Sequence, residues 1–305
     1  MSQDSRSSAA GEGQLRAEYG VIGGSGFYDF FEDAERLTVA TPYGDPSDDV
    51  VIGSVSGRRV AFIARHGRGH RFPPHRVNYR ANLWALRSVG VRQVVSPCAV
   101  GSLRVEAGPG TIVVPDQVVD RTWGRDHTFY DVIGPVVHVD IADPYCPVLR
   151  QAVVATARAA GAPTVDGGTL VVINGPRFST RAESLMHQHA GWSIVGMTAM
   201  PEAALARELA MCFSTVALVT DYDTGVHGGE AVTHESVLAV FAENVDRLKG
   251  VIADTFTALP EATGDTPRAG KASGGEESES DGDAGCHCQR ALDGVQLPFE
   301  LPGRP

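Results

Sequence analysis

The chain has 305 residues, 43% of them hydrophobic, and a formal net charge of -11. No run of about 18 apolar residues occurs, so no transmembrane helix is expected, and the polar N-terminus MSQDSRSSAAGEGQ lacks the apolar stretch of a secretory signal. No basic stripe points to nucleic acid, and nothing in the five cysteines demands an oxidising compartment, so a cytoplasmic protein with no membrane partner is expected.

Residues 1–17 read as a disordered N-terminus and 18–260 as one globular block. Within the block, strand-like runs (19–23, 60–64, 93–97, 111–114, 169–173, 193–197 and 215–220) alternate with helix-like ones (78–89, 147–160, 181–190, 201–211 and 235–256). Runs such as TVALVT are continuously apolar, which suits strands covered on both faces. The alternation predicts a three-layer α/β domain. Residues 261–285 carry seven acids against two bases and no apolar period, which reads as a flexible acidic linker. Residues 286–305 regain Leu, Val and Phe, so the tail either docks back on the protein or forms a sticky end.

The first strand runs into GGSGFYD. A dinucleotide fingerprint fails here, because Asp29 stands where the last glycine belongs and Phe27 and Tyr28 are bulky. The backbone N–H groups of 23–26 with the Ser25 hydroxyl suit a small tetrahedral anion, or else a plain tight turn. The second strand ends on Arg65-His66, where a guanidinium fork would match two phosphate oxygens. His66, His70 and His75 fit no standard zinc spacing, and Arg68, His70 and His75 read as surface or loop packing. A third strand end offers the small residues Cys98, Ala99 and Gly101. A fourth ends on Asp221-Tyr222-Asp223, whose two carboxylates share one side of an extended chain. Two acids beside an anion site suit a ligand that presents N–H donors, with capping or a solvated loop as the plainer alternative. The scattered Cys98, Cys146 and Cys212 read as buried free thiols, and Cys286-His287-Cys288 as an exposed thiol pair, a labile disulfide or part of a docking tail.

Taken together, GVIGGSG, RHGRGH, VNYRANLWAL, GSLR, GPRFSTRAES, GMTAMPEAALARE and TDYD, in this order over about residues 18–258, resemble the 5′-methylthioadenosine phosphorylase branch of the purine nucleoside phosphorylase family. The resemblance implies a phosphorylase-type three-layer fold with a mixed central sheet flanked by helices, a homotrimer, and phosphorolysis of a purine nucleoside without metal or organic cofactor, inorganic phosphate being a co-substrate. It places Ser25, Arg65, His66, Cys98, Ala99 and Thr198 at phosphate, and Met197 beside ribose unless its side chain packs in the core. It places Asp221 and Asp223 at the purine, Asp221 as the catalytic acid, Ser179 and His234 at positions of substrate choice, and His138 in a neighbouring subunit's 5′ pocket. Cys98 departs from the threonine common in relatives; a thiol is the weaker donor, so phosphate is expected to be held more loosely or through backbone N–H groups. Carboxylates accept from a 6-amino purine, so 5′-methylthioadenosine is the expected substrate, with a broader or 6-oxopurine phosphorylase as the alternative. Disulfides at a C-x-C end occur in some members from hot environments.

Overall fold

The computed structural model describes residues 16–24, 27, 31, 34–224, 226, 233–259 and 286–303, and for 234 and 236 the backbone only. Ser25, the side chain of His234, residues 1–15 and the acidic stretch 261–285 therefore lie outside the described residues.

Eleven strands form one mixed sheet: β1 Tyr19–Gly23, β2 Glu35–Leu37, β3 Val50–Val55, β4 Arg58–Ala64, β5 Gln93–Ser102, β6 Ile112–Val114, β7 Gln117–Arg121, β8 Thr164–Asp166, β9 Thr169–Ile173, β10 Ile194–Gly196 and β11 Cys212–Tyr222. Among the described residues, five helices cover it: α1 Tyr79–Ser88, α2 Pro147–Ala159, α3 Arg181–His189, α4 Ala199–Glu208 and α5 His234–Ala258. The main path runs β2-β3-β4-β1-β5-β10-β9-β7, with β11 joining β5 to β6 and β8. Strands β2, β3, β7 and β8 lie outside the runs expected from sequence, and β5 and β11 each extend well beyond 93–97 and 215–220. Ala17, expected in a disordered N-terminus, is buried, and its N–H donates to Val89 O at 3.0 Å.

Side chains alternate between the faces as strand geometry requires. Ile22, Ala61 and Ile63 enter one core cluster with residues of α1 and α4. Tyr19, Val21, Val60, Phe62 and Ala64 enter the other, with residues of α2 and α5. Asn78 caps α1 by accepting from Ala81 N–H at 3.1 Å. Thr180 and Glu183 close a capping box on α3.

The feature that creates a site is the splay at β5. Its first residues, 93–95, pair with β1, while Gly101 and Ser102 pair with β10. Residues 96–100 pair with neither, so the sheet opens along that edge. On its other edge β5 keeps β11 over its whole length.

The tail docks. Leu292 and Leu301 are buried in the cluster with α1 and α4. Phe299 stacks on Tyr130 at 5.2 Å and meets Trp84 edge-on at 5.6 Å.

Candidate active site

The splay holds a pocket of about 460 Å³, within the range that buries a small organic ligand. Its walls bring together Gly24 after β1, Arg65, His66 and His70 after β4, Cys98–Gly101 of β5, Met197 and Thr198 after β10, Asp221 and Asp223 at the end of β11, and Ser179 before α3. Val237, Leu238 and Phe241 of α5 complete it with an apolar wall. Arg65, His66, Met197, Thr198, Asp221 and Asp223 sit at strand ends, the usual ligand position of an open α/β sheet.

Arg65 is 1% exposed, and its fork does not face a ligand in the manner the sequence suggests. Nε donates to Glu202 Oε1 at 2.5 Å and Nη2 to Glu202 Oε2 at 3.2 Å. Nη2 also donates to Ser96 Oγ and Ile22 O, and Nη1 to Pro97 O at 3.2 Å. Ser96 Oγ donates in turn to Glu202 Oε2 at 2.7 Å. The planar face is thus fixed by a fully buried acid, and Nη1 is the end with a further hydrogen to offer. Glu202 is the functional residue that sequence reading missed: it lies in the first turn of α4, 137 positions from its partner.

His66 Nδ1 lies 2.8 Å from Phe72 O, so it carries the proton and leaves Nε2 as the ring's acceptor. Burial, and then the Arg65 charge, hold this imidazole down to about 3, so it stays neutral at ordinary pH. His70 is exposed, as the surface reading has it, and its ring also stacks on His66 at 4.2 Å and borders the pocket. Burial pushes the Cys98 thiol up to about 12, so it is a protonated S–H beside Arg65. Thr198 is the N-cap of α4, but its hydroxyl makes no capping bond and is left for the pocket.

Arg125 was also missed. Its guanidinium donates to the carbonyls of Met197, Met200 and Asn174 and to Tyr79 Oη, locking the chain on either side of Thr198. The only signal in the sequence is a basic residue in a loop of small and polar residues.

At the opposite end, burial drives Asp221 up to about 6, partly offset by a 2.8 Å hydrogen bond donated by Thr220 Oγ1; the neighbouring Asp223 charge adds to the rise. Asp223 is raised too, mainly by burial, while the Ser184 and Ser179 hydroxyls pull it back. Its Oδ2 is buried with no hydrogen-bond partner among the described residues. The two acids reach the pocket because β11 shifts register between Val219 and Asp221, and because Gly101 leaves room: a Cβ there would lie 3.0 Å from Asp221 Oδ1.

His138 is exposed and does not line this pocket. It follows a stretch in which Val132, Ile133 and Val136 are exposed, as is Trp123.

Comparison with known proteins agrees with this geometry. The Phosphorylase superfamily profile matches residues 18–257. The chain is 55% identical to the purine nucleoside phosphorylase of Streptomyces coelicolor over 296 residues, covering 95% of this chain and 99% of that one. It is 52% identical over 285 residues to the S-methyl-5′-thioadenosine phosphorylase of Mycolicibacterium smegmatis, covering 93% of this chain and 99% of that one. Among solved structures, it resembles the methylthioadenosine phosphorylase of Schistosoma mansoni in complex with adenine at a TM-score of 0.76 and 38% identity, covering 79% of this chain and 91% of that one. The chain therefore belongs to the phosphorylase superfamily.

Proposed function

We propose that the enzyme splits S-methyl-5′-thioadenosine with inorganic phosphate, giving adenine and S-methyl-5-thioribose 1-phosphate. The carrying observation is one pocket with an acid poised near pH 6 at one end and an Arg–His–thiol cluster at the other. Several relatives at about half identity bear the name S-methyl-5′-thioadenosine phosphorylase.

Phosphate lies between the Gly24 loop, Arg65 Nη1, His66, the Cys98–Ala99 segment and Thr198. Its remaining O–H donates to His66 Nε2, which turns a bare oxygen toward C1′. The C1′–N9 bond breaks as positive charge builds on the ribose, and the phosphate oxygen stabilises that charge and then bonds to C1′. The electron pair of the broken bond enters the purine, and the Asp221 proton goes to N7, so adenine leaves neutral. Asp223 Oδ2 accepts from the exocyclic amine, with Ser179 beside it. The α5 wall of Val237, Leu238 and Phe241 suits an apolar 5′ substituent better than a hydroxyl. Phosphate is a co-substrate in this reading, and no metal or organic cofactor takes part in the chemistry.

A homotrimer is part of the same proposal. Ile133 and Val136, exposed in the stretch before His138, and exposed Trp123 are costly for a lone chain and fit a subunit contact that would carry His138 to a neighbour's pocket. Light scattering and a His138→Ala variant, expected to raise KM for nucleoside and not for phosphate, test it. A cytoplasmic setting accords with five cysteines that are all free thiols.

The Streptomyces relative's name favours a second reading, a broader purine nucleoside phosphorylase. Phosphate-dependent release of base, assayed side by side on methylthioadenosine, inosine and guanosine, decides between them. Adenine release without phosphate would overturn phosphorolysis altogether.

A further inference from the structure

The described chain holds a second cluster of reactive groups, and none of its members lines the pocket. The sulfurs of Cys146, Cys212, Cys286 and Cys288 all lie within 4.8 Å of one another. Three different segments deliver them. Cys212 opens β11, and Cys146 stands at the N-cap of α2, its backbone N–H donating to Phe213 O at 2.9 Å, so the two are held side by side. Cys286 and Cys288 come from the tail, where a short 3-10 turn over His287–Arg290 brings both thiols to the same face, with Gln289 N–H donating to Cys286 O. Cys288 is 1% exposed, so of the readings left open for the tail pair the docking one fits and the exposed one does not, and Cys146 and Cys212 are buried free thiols as expected but share one cluster.

Apolar packing gives no reason for four cysteines from three segments to converge on one point. A tetrathiolate metal centre does. With metal–sulfur bonds of about 2.3 Å, a tetrahedral set of four thiolates has sulfur–sulfur edges of about 3.8 Å. Cys146 Sγ and Cys286 Sγ are 3.5 Å apart, near that edge and far from the ~2.05 Å of a disulfide bond. The site also has the support a thiolate centre requires. Leu149 N–H donates to Cys146 Sγ at 3.5 Å, and the same sulfur sits at the positive end of a 13-residue helix.

We propose that Cys146, Cys212, Cys286 and Cys288 form a closed structural site for zinc, which pins the C-terminal tail to the catalytic domain. Four protein ligands fill a tetrahedral zinc and leave no position for water or substrate, so the site is structural rather than catalytic. Binding exchanges up to four thiol protons for one Zn²⁺, and no electrons move. The ion joins the tail to the starts of β11 and α2, across the stretch that follows α5. The tail then lays Leu292, Phe299 and Leu301 against the α1–α4 side of the core.

The test uses the full-length protein, purified under reducing conditions without chelator. Elemental analysis is expected to find about one zinc per chain. The double variant Cys286→Ser/Cys288→Ser, confined to the tail so that the domain still folds, is expected to lose it and to melt at a lower temperature. Cobalt added to the metal-stripped protein is expected to give thiolate-to-cobalt charge transfer and the d–d bands of a tetrahedral all-sulfur site. Two disulfides in a parallel preparation made without reductant, seen as a mass lower by about four hydrogens than after reduction, would overturn the proposal. So would failure of the reduced chain to retain zinc or to bind added zinc and cobalt. Iron in the isolated protein would overturn the choice of zinc.

Discussion

The two ends of the pocket solve opposite electrostatic problems. At the phosphate end a buried cation faces a buried anion: Arg65 and Glu202 are both essentially sealed from solvent, and Ser96, Ile22 and Pro97 take up the other donors except one hydrogen of Nη1. At the base end two acids are buried close together and left short of partners: burial first, and then the Asp223 charge, raises Asp221 to about 6, and Asp223 Oδ2 is unpartnered among the described residues. The satisfied end is rigid before any ligand arrives. The unsatisfied end gains its missing partners only when a donor-rich base enters. Rigidity therefore belongs to the group that aims phosphate, and stored electrostatic tension to the group that must give up a proton.

The largest expected effect breaks the base end. Asp221→Asn keeps the shape but cannot donate an acidic proton, and kcat on methylthioadenosine should fall by about 10²- to 10⁴-fold. If adenine recognition rests on carboxylates, this variant should gain on inosine relative to methylthioadenosine, because an amide can donate to a 6-oxo group. Equal losses on both nucleosides would show that the pair does not set base choice.

Breaking the phosphate end should cost stability first. Glu202→Ala leaves the Arg65 charge buried without its partner, a loss of about 3–5 kcal/mol in urea unfolding. Glu202→Gln keeps the packing and is expected to fold. Its loosened guanidinium should raise KM for phosphate more than KM for nucleoside. A Glu202→Ala chain as stable as the parent would show that the pair is not what holds this end.

The pH dependence sharpens the same contrast. Asp221 is raised in the folded state, so between about pH 4 and 6 the native chain holds its proton more tightly than the unfolded chain. Stability is greatest, as far as this group goes, below that window. It falls as pH rises through it, by up to about 3 kcal/mol, and stays lower above. Asp221→Asn should flatten this slope and be the more stable protein at pH 7. His66 is already neutral throughout, so it should add no inflection to activity between pH 5 and 8.

How much of this was legible depends on where each partner lies along the chain. The anchors at strand ends were readable because an apolar run followed by Arg65-His66 or Asp221-Tyr222-Asp223 is local information. The length of β5 was not. SPCAVGS looks like a loop, with proline and small residues, yet it continues as strand because β11 pairs along all of it. Pro97 is tolerated in the stretch where one edge is open, and that opening is the pocket. Glu202 was hidden inside an alanine-rich helical run, and its meaning depends on Arg65 far away in sequence. The cysteine cluster was hidden for the same reason, since only the fold brings residues 146, 212, 286 and 288 to one place. The N–H groups and hydroxyl of the glycine loop at Ser25 lie outside the described residues and stay an expectation.

The smallest expected effect tests the phosphate end without breaking it. Cys98 lines the pocket beside Arg65 as a protonated thiol, the weakest donor in the cluster. Cys98→Thr replaces S–H with O–H and adds one methyl at a wall that already borders open space. A neutral hydrogen bond improved in this way is worth about 0.5–1 kcal/mol, so KM for phosphate should fall by about two- to fivefold. KM for nucleoside should not move, because Asp221 is held by the Thr220 hydroxyl and Asp223 by its N–H donating to Ser102 O, farther along the wall. If both constants shift together, the added methyl has moved β5 itself, and the two ends are coupled through the strand they share. If only the phosphate constant shifts, the rigid end can be tuned alone. The thiol would then be a choice that loosens phosphate while leaving the proton donor untouched.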